Sequence, residues 1–136
     1  MLNITGQNFI AGQRSSAGSK FVLSYDAATD EALPYQFAQA TPEEIDQAAQ
    51  AAALAYPAFR QTTPEQRAVF LETIASEIDA LDDQFIATVC QETALPEARI
   101  RGERGRTTGQ LRLFAQVLRR GDYLGCLLYT SLSGLA

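Results

Sequence analysis

Residues 102–114 read GERGRTTGQLRLF, a stretch that combines three glycines with three arginines. Glycines of this kind can cradle a phosphate, and arginines can hold carboxylates or phosphates through paired hydrogen bonds. A phosphate loop needs its glycines between a strand and a helix N-terminus, where free N–H groups and the positive end of the helix dipole meet the anion. No strand pattern precedes this stretch, and it has neither the GxGxxG nor the GxxxxGK[ST] order. Gly102, Gly105 and Gly109 instead follow the i, i+3, i+7 spacing of one helical face, which predicts a smooth face that another backbone can approach. The arginines fall elsewhere. Arg99 and Arg106 flank Glu103 at ion-pair spacing, which leaves Arg101, Arg104 and Arg112 to reach a partner.

Charge is unevenly placed along the 136 residues. Residues 1–98 carry four basic and fourteen acidic groups, a net −10, whereas 99–136 carry seven arginines and two acids, a net +5. The basic segment 99–120 makes nucleic-acid binding one alternative reading, and a small helical interaction module is another. Aromatic interleaving and known nucleic-acid motifs are both absent, and the rest of the chain is acidic, so no nucleic-acid partner is expected. Histidine is absent, which removes the commonest metal ligand and general base, and no metal site is expected. Two cysteines, Cys90 and Cys126, are too few for a disulfide framework. Cys90 lies on an apolar helical face and reads as a core residue rather than a nucleophile. The N-terminal residues MLNITGQNFIAG have no basic start and no long apolar run, so a cytoplasmic protein without a membrane partner is expected.

The elements that must carry these groups follow from local signals. Asn8–Gln13 and Phe21–Tyr25, separated by RSSAGSK, predict the two strands of an N-terminal hairpin, and Tyr35–Ala38 a further short strand. Thr41-Pro42-Glu43-Glu44 supplies an N-cap, a proline at N1 and a capping-box glutamate. The helix it opens has apolar positions at Ile45, Ala48, Ala49, Ala52 and Tyr56, with Pro57 at its end. Thr63-Pro64-Glu65-Gln66 repeats the signature ahead of a stripe at Phe70, Ile74, Ile78 and Leu81. A third, shorter helix carries Phe85, Ile86, Val89 and Cys90 and ends near ETALP at 92–96. Pro96, at N1, opens a long fourth helix with apolar positions Ile100, Leu111, Phe114 and Leu118.

The succession NFIAGQ, DAATDEAL, ATPEEIDQAAQAAALAYPAFR, TPEQRAVFLETIASEIDAL and ETALPEARIRGERGRTTGQLRLFA resembles the N-terminal part of the aldehyde dehydrogenase superfamily over residues 6 to 123. Within it, the last block most resembles the 2,5-dioxovalerate dehydrogenase branch. DAATDE at 26–31 departs from the usual Asn-Pro-Ala-Thr-Gly-Glu, which alters a turn and touches no chemistry. The resemblance implies a mostly α fragment, a β-hairpin followed by about four helices, belonging to an α/β aldehyde dehydrogenase fold in the parent protein. It also implies a parent that uses NADP or NAD, acts on a small anionic aldehyde and forms a homo-oligomer when complete. In that family the nucleophilic cysteine, the general-base glutamate and the cofactor-holding glycine turn lie after the matched segment. No catalytic or cofactor-binding residue is therefore assigned here, and the fragment alone is expected to bind no cofactor, to be inactive and to aggregate.

The family's long helix borders the substrate entrance, so Arg101, Arg104, Arg106, Thr107 and Gln110 become candidates for recognising a substrate carboxylate. Residues 1–125 are read as the N-terminal segment of such an enzyme. After Asp122-Tyr123 the family pattern stops, and Cys126–Ser131, CLLYTS, can be back-translated as TGT CTC TTA TAC ACA TCT. That string resembles the mosaic end of a transposase sequencing adapter, and residues 126–136 are expected to be a non-native tail.

Overall fold

The structure is a computed structural model that describes residues 4–124; the expected tail at 126–136 lies outside them. The described residues divide into two compact units, one formed by 4–61 and 82–100, the other by 62–81 and 101–124.

In the first unit, β1 (Asn8–Ile10) pairs antiparallel with β2 (Gln13–Ser15), in the register Asn8↔Ser15, Phe9↔Arg14, Ile10↔Gln13. The connecting Ala11 and Gly12 both have positive φ (51° and 78°), the two-residue turn whose twist suits a hairpin. The Arg14 guanidinium lies 5.5 Å from the centre of the Phe9 ring. A second antiparallel pair joins β3 (Phe21–Tyr25) to β4 (Ala32–Ala38). The expected pairing of Asn8–Gln13 with Phe21–Tyr25 is thus corrected. Asn8–Gln13 turns back within itself, and Phe21–Tyr25 pairs with a strand that begins at Ala32, before the expected Tyr35. The start of that strand escapes a sequence reading because it contains Pro34, tolerated here by a register shift opposite Leu23–Tyr25.

The β3–β4 turn explains the departure at DAATDE. Asp26 Oδ1 accepts the backbone N–H groups of Ala28 (2.9 Å) and Thr29 (3.1 Å), which holds its carboxyl below the usual carboxylate range. Asp30, where the family pattern has glycine, sits at φ 59°, and aspartate is one of the few side chains that tolerate this left-handed region.

Helix α1 (Pro42–Phe59) starts at its sequence-predicted cap. It runs two residues beyond Pro57 rather than ending there, since proline removes one helical hydrogen bond without forbidding a last half-turn. The only buried residue of α1 is the capping glutamate, Glu44, 2% exposed. Its carboxylate accepts from Ser15 Oγ, from the Ala17 N–H (3.1 Å) and from the Thr41 N–H (2.9 Å), tying β2, the following loop and the helix start to one group. These bonds, the one from Ser15 foremost, hold the Glu44 carboxyl below the usual range. The expected apolar face of α1 does not form a core: Ile45 and Tyr56 are 61% and 59% exposed.

Helix α3 (Asp83–Thr93) is capped by Asp82 and stopped by Ala94 at φ 55°, and it buries Ile86 with Phe85, Val89 and Cys90 half-buried, as the sequence predicts. Backbone and side-chain bonds, Ala27 N–H to Gln91 O (2.9 Å) and Ser24 Oγ to Glu92, fasten it to β3 and the turn that follows.

The second unit contains α2 (Pro64–Asp79) and most of α4 (Glu97–Arg120). The Thr63 cap is as predicted, with reciprocal bonds to Gln66 of 2.8 and 3.1 Å. Pro96 immediately precedes α4, and its carbonyl accepts the first helical N–H groups. Ala68 and Ala75 on α2 and Thr108 and Ala115 on α4 are buried, each pair seven residues apart, and Ile100, one of the expected apolar positions, is buried near the start of α4. Of the apolar stripe on α2, Ile74 and Ile78 are half-buried, as is Leu81 just after the helix, while Phe70 is 54% exposed.

Two outcomes follow for the 136-residue chain in dilute thermal denaturation. Thr63→Ala lowers stability by about 1 kcal/mol through the lost cap. Glu44→Gln lowers the melting temperature by several degrees near neutral pH. Because the folded carboxyl titrates below its unfolded value, its contribution is present above the ordinary carboxylate range and disappears as pH falls through the folded value. The gap between native and variant chains should therefore close on acidification; a gap independent of pH would refute the role of the charge.

Candidate functional site

The stretch GERGRTTGQLRLF lies in the interior of α4. Its glycine N–H groups belong to the helical ladder and cannot point at a phosphate, so these residues do not fit a nucleotide cradle. Nor does any backbone occupy the glycine face among the described residues: a Cβ built on Gly102, Gly105 or Gly109 would meet nothing within 4 Å. The expected close approach is thus corrected for this chain, and each glycine keeps its cost of about 1 kcal/mol against alanine.

The arginines expected to reach outward are mostly engaged. Arg104 Nη1 donates to the Leu81 carbonyl (2.9 Å), and Arg112 Nη2 pairs with Asp79 Oδ2 (2.8 Å). Arg119 grips two carboxylates at once, Glu65 through Nε (2.8 Å) and Nη2 (2.9 Å), and Glu72 through Nη2 (2.8 Å). Partners on α2 rise in number as those on α4 fall, so the two helices run antiparallel. These hydrogen bonds from Arg119 hold the Glu65 and Glu72 carboxyls below their usual range and raise the arginine's own pKa. Asp79 is lowered likewise, first by Arg112, with Thr108 and Arg104 contributing.

Of the five candidate residues, three come together. Arg106, Thr107 and Gln110, with Leu111 and Phe114, line one open depression of about 360 Å³. Arg106 is exposed, and its contact with Glu103 is a loose 3.5 Å pair between two accessible side chains. The side chains of Thr107 and Gln110 have no hydrogen-bond partner among the described residues. Arg104 is turned to Leu81, and Arg101 lies three residues before it on the same side of the helix, away from the depression. Sequence reasoning did not single out Leu111 and Phe114 as site residues, because their helical spacing also fits a core stripe; only the exposure of Phe114 beside Arg106 tells the two apart. The chain therefore presents a cation, a hydroxyl and an amide above an apolar floor, a combination suited to a short aliphatic anion.

No helix among the described residues is long and apolar enough to cross a membrane, and they hold no cluster of metal-ligating side chains.

The sequence pattern of the aldehyde dehydrogenase family matches residues 12–126, and the chain belongs to that family. It is 47% identical over 127 residues to the alpha-ketoglutaric semialdehyde dehydrogenase of Acinetobacter baylyi, covering 93% of this chain and 24% of that protein. It is 39% identical over 124 residues to alpha-ketoglutaric semialdehyde dehydrogenase 2 of Azospirillum brasilense, covering 90% and 24%. A 1-pyrroline-5-carboxylate dehydrogenase 2 from Bacillus subtilis is 33% identical over 87 residues, 64% of this chain and 17% of that one. The chain thus spans about a quarter of the length of the first two relatives.

The ion pairs make a prediction about the helix pair. Arg119→Met should lower the melting temperature of the chain more than Arg106→Met does, and the difference should shrink in about 1 M salt, where exposed charges are screened. Equal effects of the two substitutions would contradict the clamp.

Proposed function

We propose that this chain is the N-terminal part of an NAD(P)-dependent aldehyde dehydrogenase that oxidises 2,5-dioxovalerate, α-ketoglutaric semialdehyde, to 2-oxoglutarate. The observation that carries the reading is the 47% identity to an alpha-ketoglutaric semialdehyde dehydrogenase across 93% of the chain. A nicotinamide cofactor would supply the hydride acceptor for the substrate aldehyde carbon, and water the second carboxylate oxygen. The groups that hold the cofactor and carry the covalent steps belong to the remaining three-quarters of the enzyme, so the chain alone is inactive. Its place is cytoplasmic, and the complete enzyme assembles as a homo-oligomer.

The part played by the described residues is recognition. The substrate is an anion with its carboxylate at the end opposite the reacting aldehyde. Arg106, the accessible cation of the depression, meets that carboxylate, while Thr107 and Gln110 supply neutral donors beside it. Arg101 and Arg104 take no part, being on the side of α4 that faces Leu81.

The test is made in the complete enzyme. Arg106→Leu should raise KM for 2,5-dioxovalerate about tenfold or more, the loss of a charge-assisted hydrogen bond, and should leave KM for uncharged pentanal nearly unchanged. Equal effects on the two aldehydes would overturn the assignment.

A further inference from the structure

Every polar side chain lining the α4 depression has a different chemistry, and the difference has consequences for specificity. Arg106 presents a fork of donors with a full charge, suited to a carboxylate. Gln110 lies one turn further along the same face, about 6 Å by helical rise, and its amide offers two neutral donors. Thr107 carries a short hydroxyl held close to the backbone. Beyond them Leu111 and Phe114 give an apolar floor. A ligand that satisfies all of these has a carboxylate, an adjacent neutral acceptor and then methylene carbons.

We infer that Gln110 is a specificity-determining residue, whose amide donates to the 2-oxo oxygen of the substrate and so separates 2-oxo semialdehydes from simple ones of equal length. The inference rests on the proposed activity and refines it. It follows from the separation of roles within one depression. Arg106 reads a carboxylate that both kinds of semialdehyde possess, whereas the amide of Gln110 reads an oxygen that only one of them carries. With no hydrogen-bond partner among the described residues, that amide can turn to a ligand without breaking a bond within the chain. A site that hydrogen-bonds a substrate group discriminates against the analogue lacking it, because the donor is then left unpaired when the ligand seals the site.

The test compares 2,5-dioxovalerate with 5-oxovalerate, the same chain with a methylene in place of the 2-oxo group, in the complete enzyme. Gln110→Met keeps length and helix propensity while removing the donors. The ratio of kcat/KM for the two substrates should fall by about three- to tenfold in this variant, the range of one hydrogen bond to a neutral acceptor, with the loss confined to 2,5-dioxovalerate. Arg106→Leu should lower kcat/KM for both substrates alike and leave their ratio unchanged. An unaltered ratio in Gln110→Met, or an equal loss on both substrates, would overturn the inference. A native enzyme that oxidises neither compound would instead overturn the proposed activity on which it rests.

Discussion

The clamp of Arg119 on Glu65 and Glu72, extended by Arg112 on Asp79 and Arg104 on the Leu81 carbonyl, fixes the rotation of α4 about its axis. Because a helix turns about 100° per residue, positions 104, 108, 112, 115 and 119 share one side. That side meets α2, with Thr108 and Ala115 buried along it. Once it is committed, the glycines at 102, 105 and 109 take a second stripe, and Arg106, Thr107, Gln110, Leu111 and Phe114 take a third. The candidate site is therefore a consequence of which arginines are occupied elsewhere. No single pair is strong, since exposed ion pairs contribute little. Several converging on one helix are what set its face.

Local signals in the sequence were legible because they are settled by a few neighbouring atoms. The caps at Thr41 and Thr63 are satisfied within three residues of each helix start, so the residue types reveal the bond. Strand pairing was not legible, since it depends on turns whose geometry the residue names only partly specify. Ala11 adopts a left-handed φ beside Gly12, and Asp30 does so in a position where glycine would be the obvious signal. Pro34 hid the first half of β4, of which only Tyr35–Ala38 was legible. On α4 the period of the apolar residues was plain, yet only the exposure of Phe114 and the engagement of Arg104 and Arg112 separate a lining residue from a core one.

The apolar stripes of α1 and α2 show the same limit from another side. Periodicity reveals that a helix has an apolar face and is silent on what covers it. Here Ile45, Tyr56 and Phe70 are open, and the buried apolar set is short and mostly small. In the first unit a polar group adds to the small core: Glu44 joins β2, its loop and α1 through three accepted hydrogen bonds. That arrangement suits a chain that spans about a quarter of its relatives' length, whose outward faces are proposed to meet the rest of the enzyme.

The central claim, that one face of α4 reads the acid end of the substrate, is tested most directly by a crystal structure of the complete enzyme with its product, 2-oxoglutarate. The account predicts the guanidinium of Arg106 within hydrogen-bond distance of the carboxylate next to the oxo group, with the Gln110 amide on the oxo oxygen. A product whose carboxylate is held by residues elsewhere, with Arg106 and Gln110 in solvent, would contradict it.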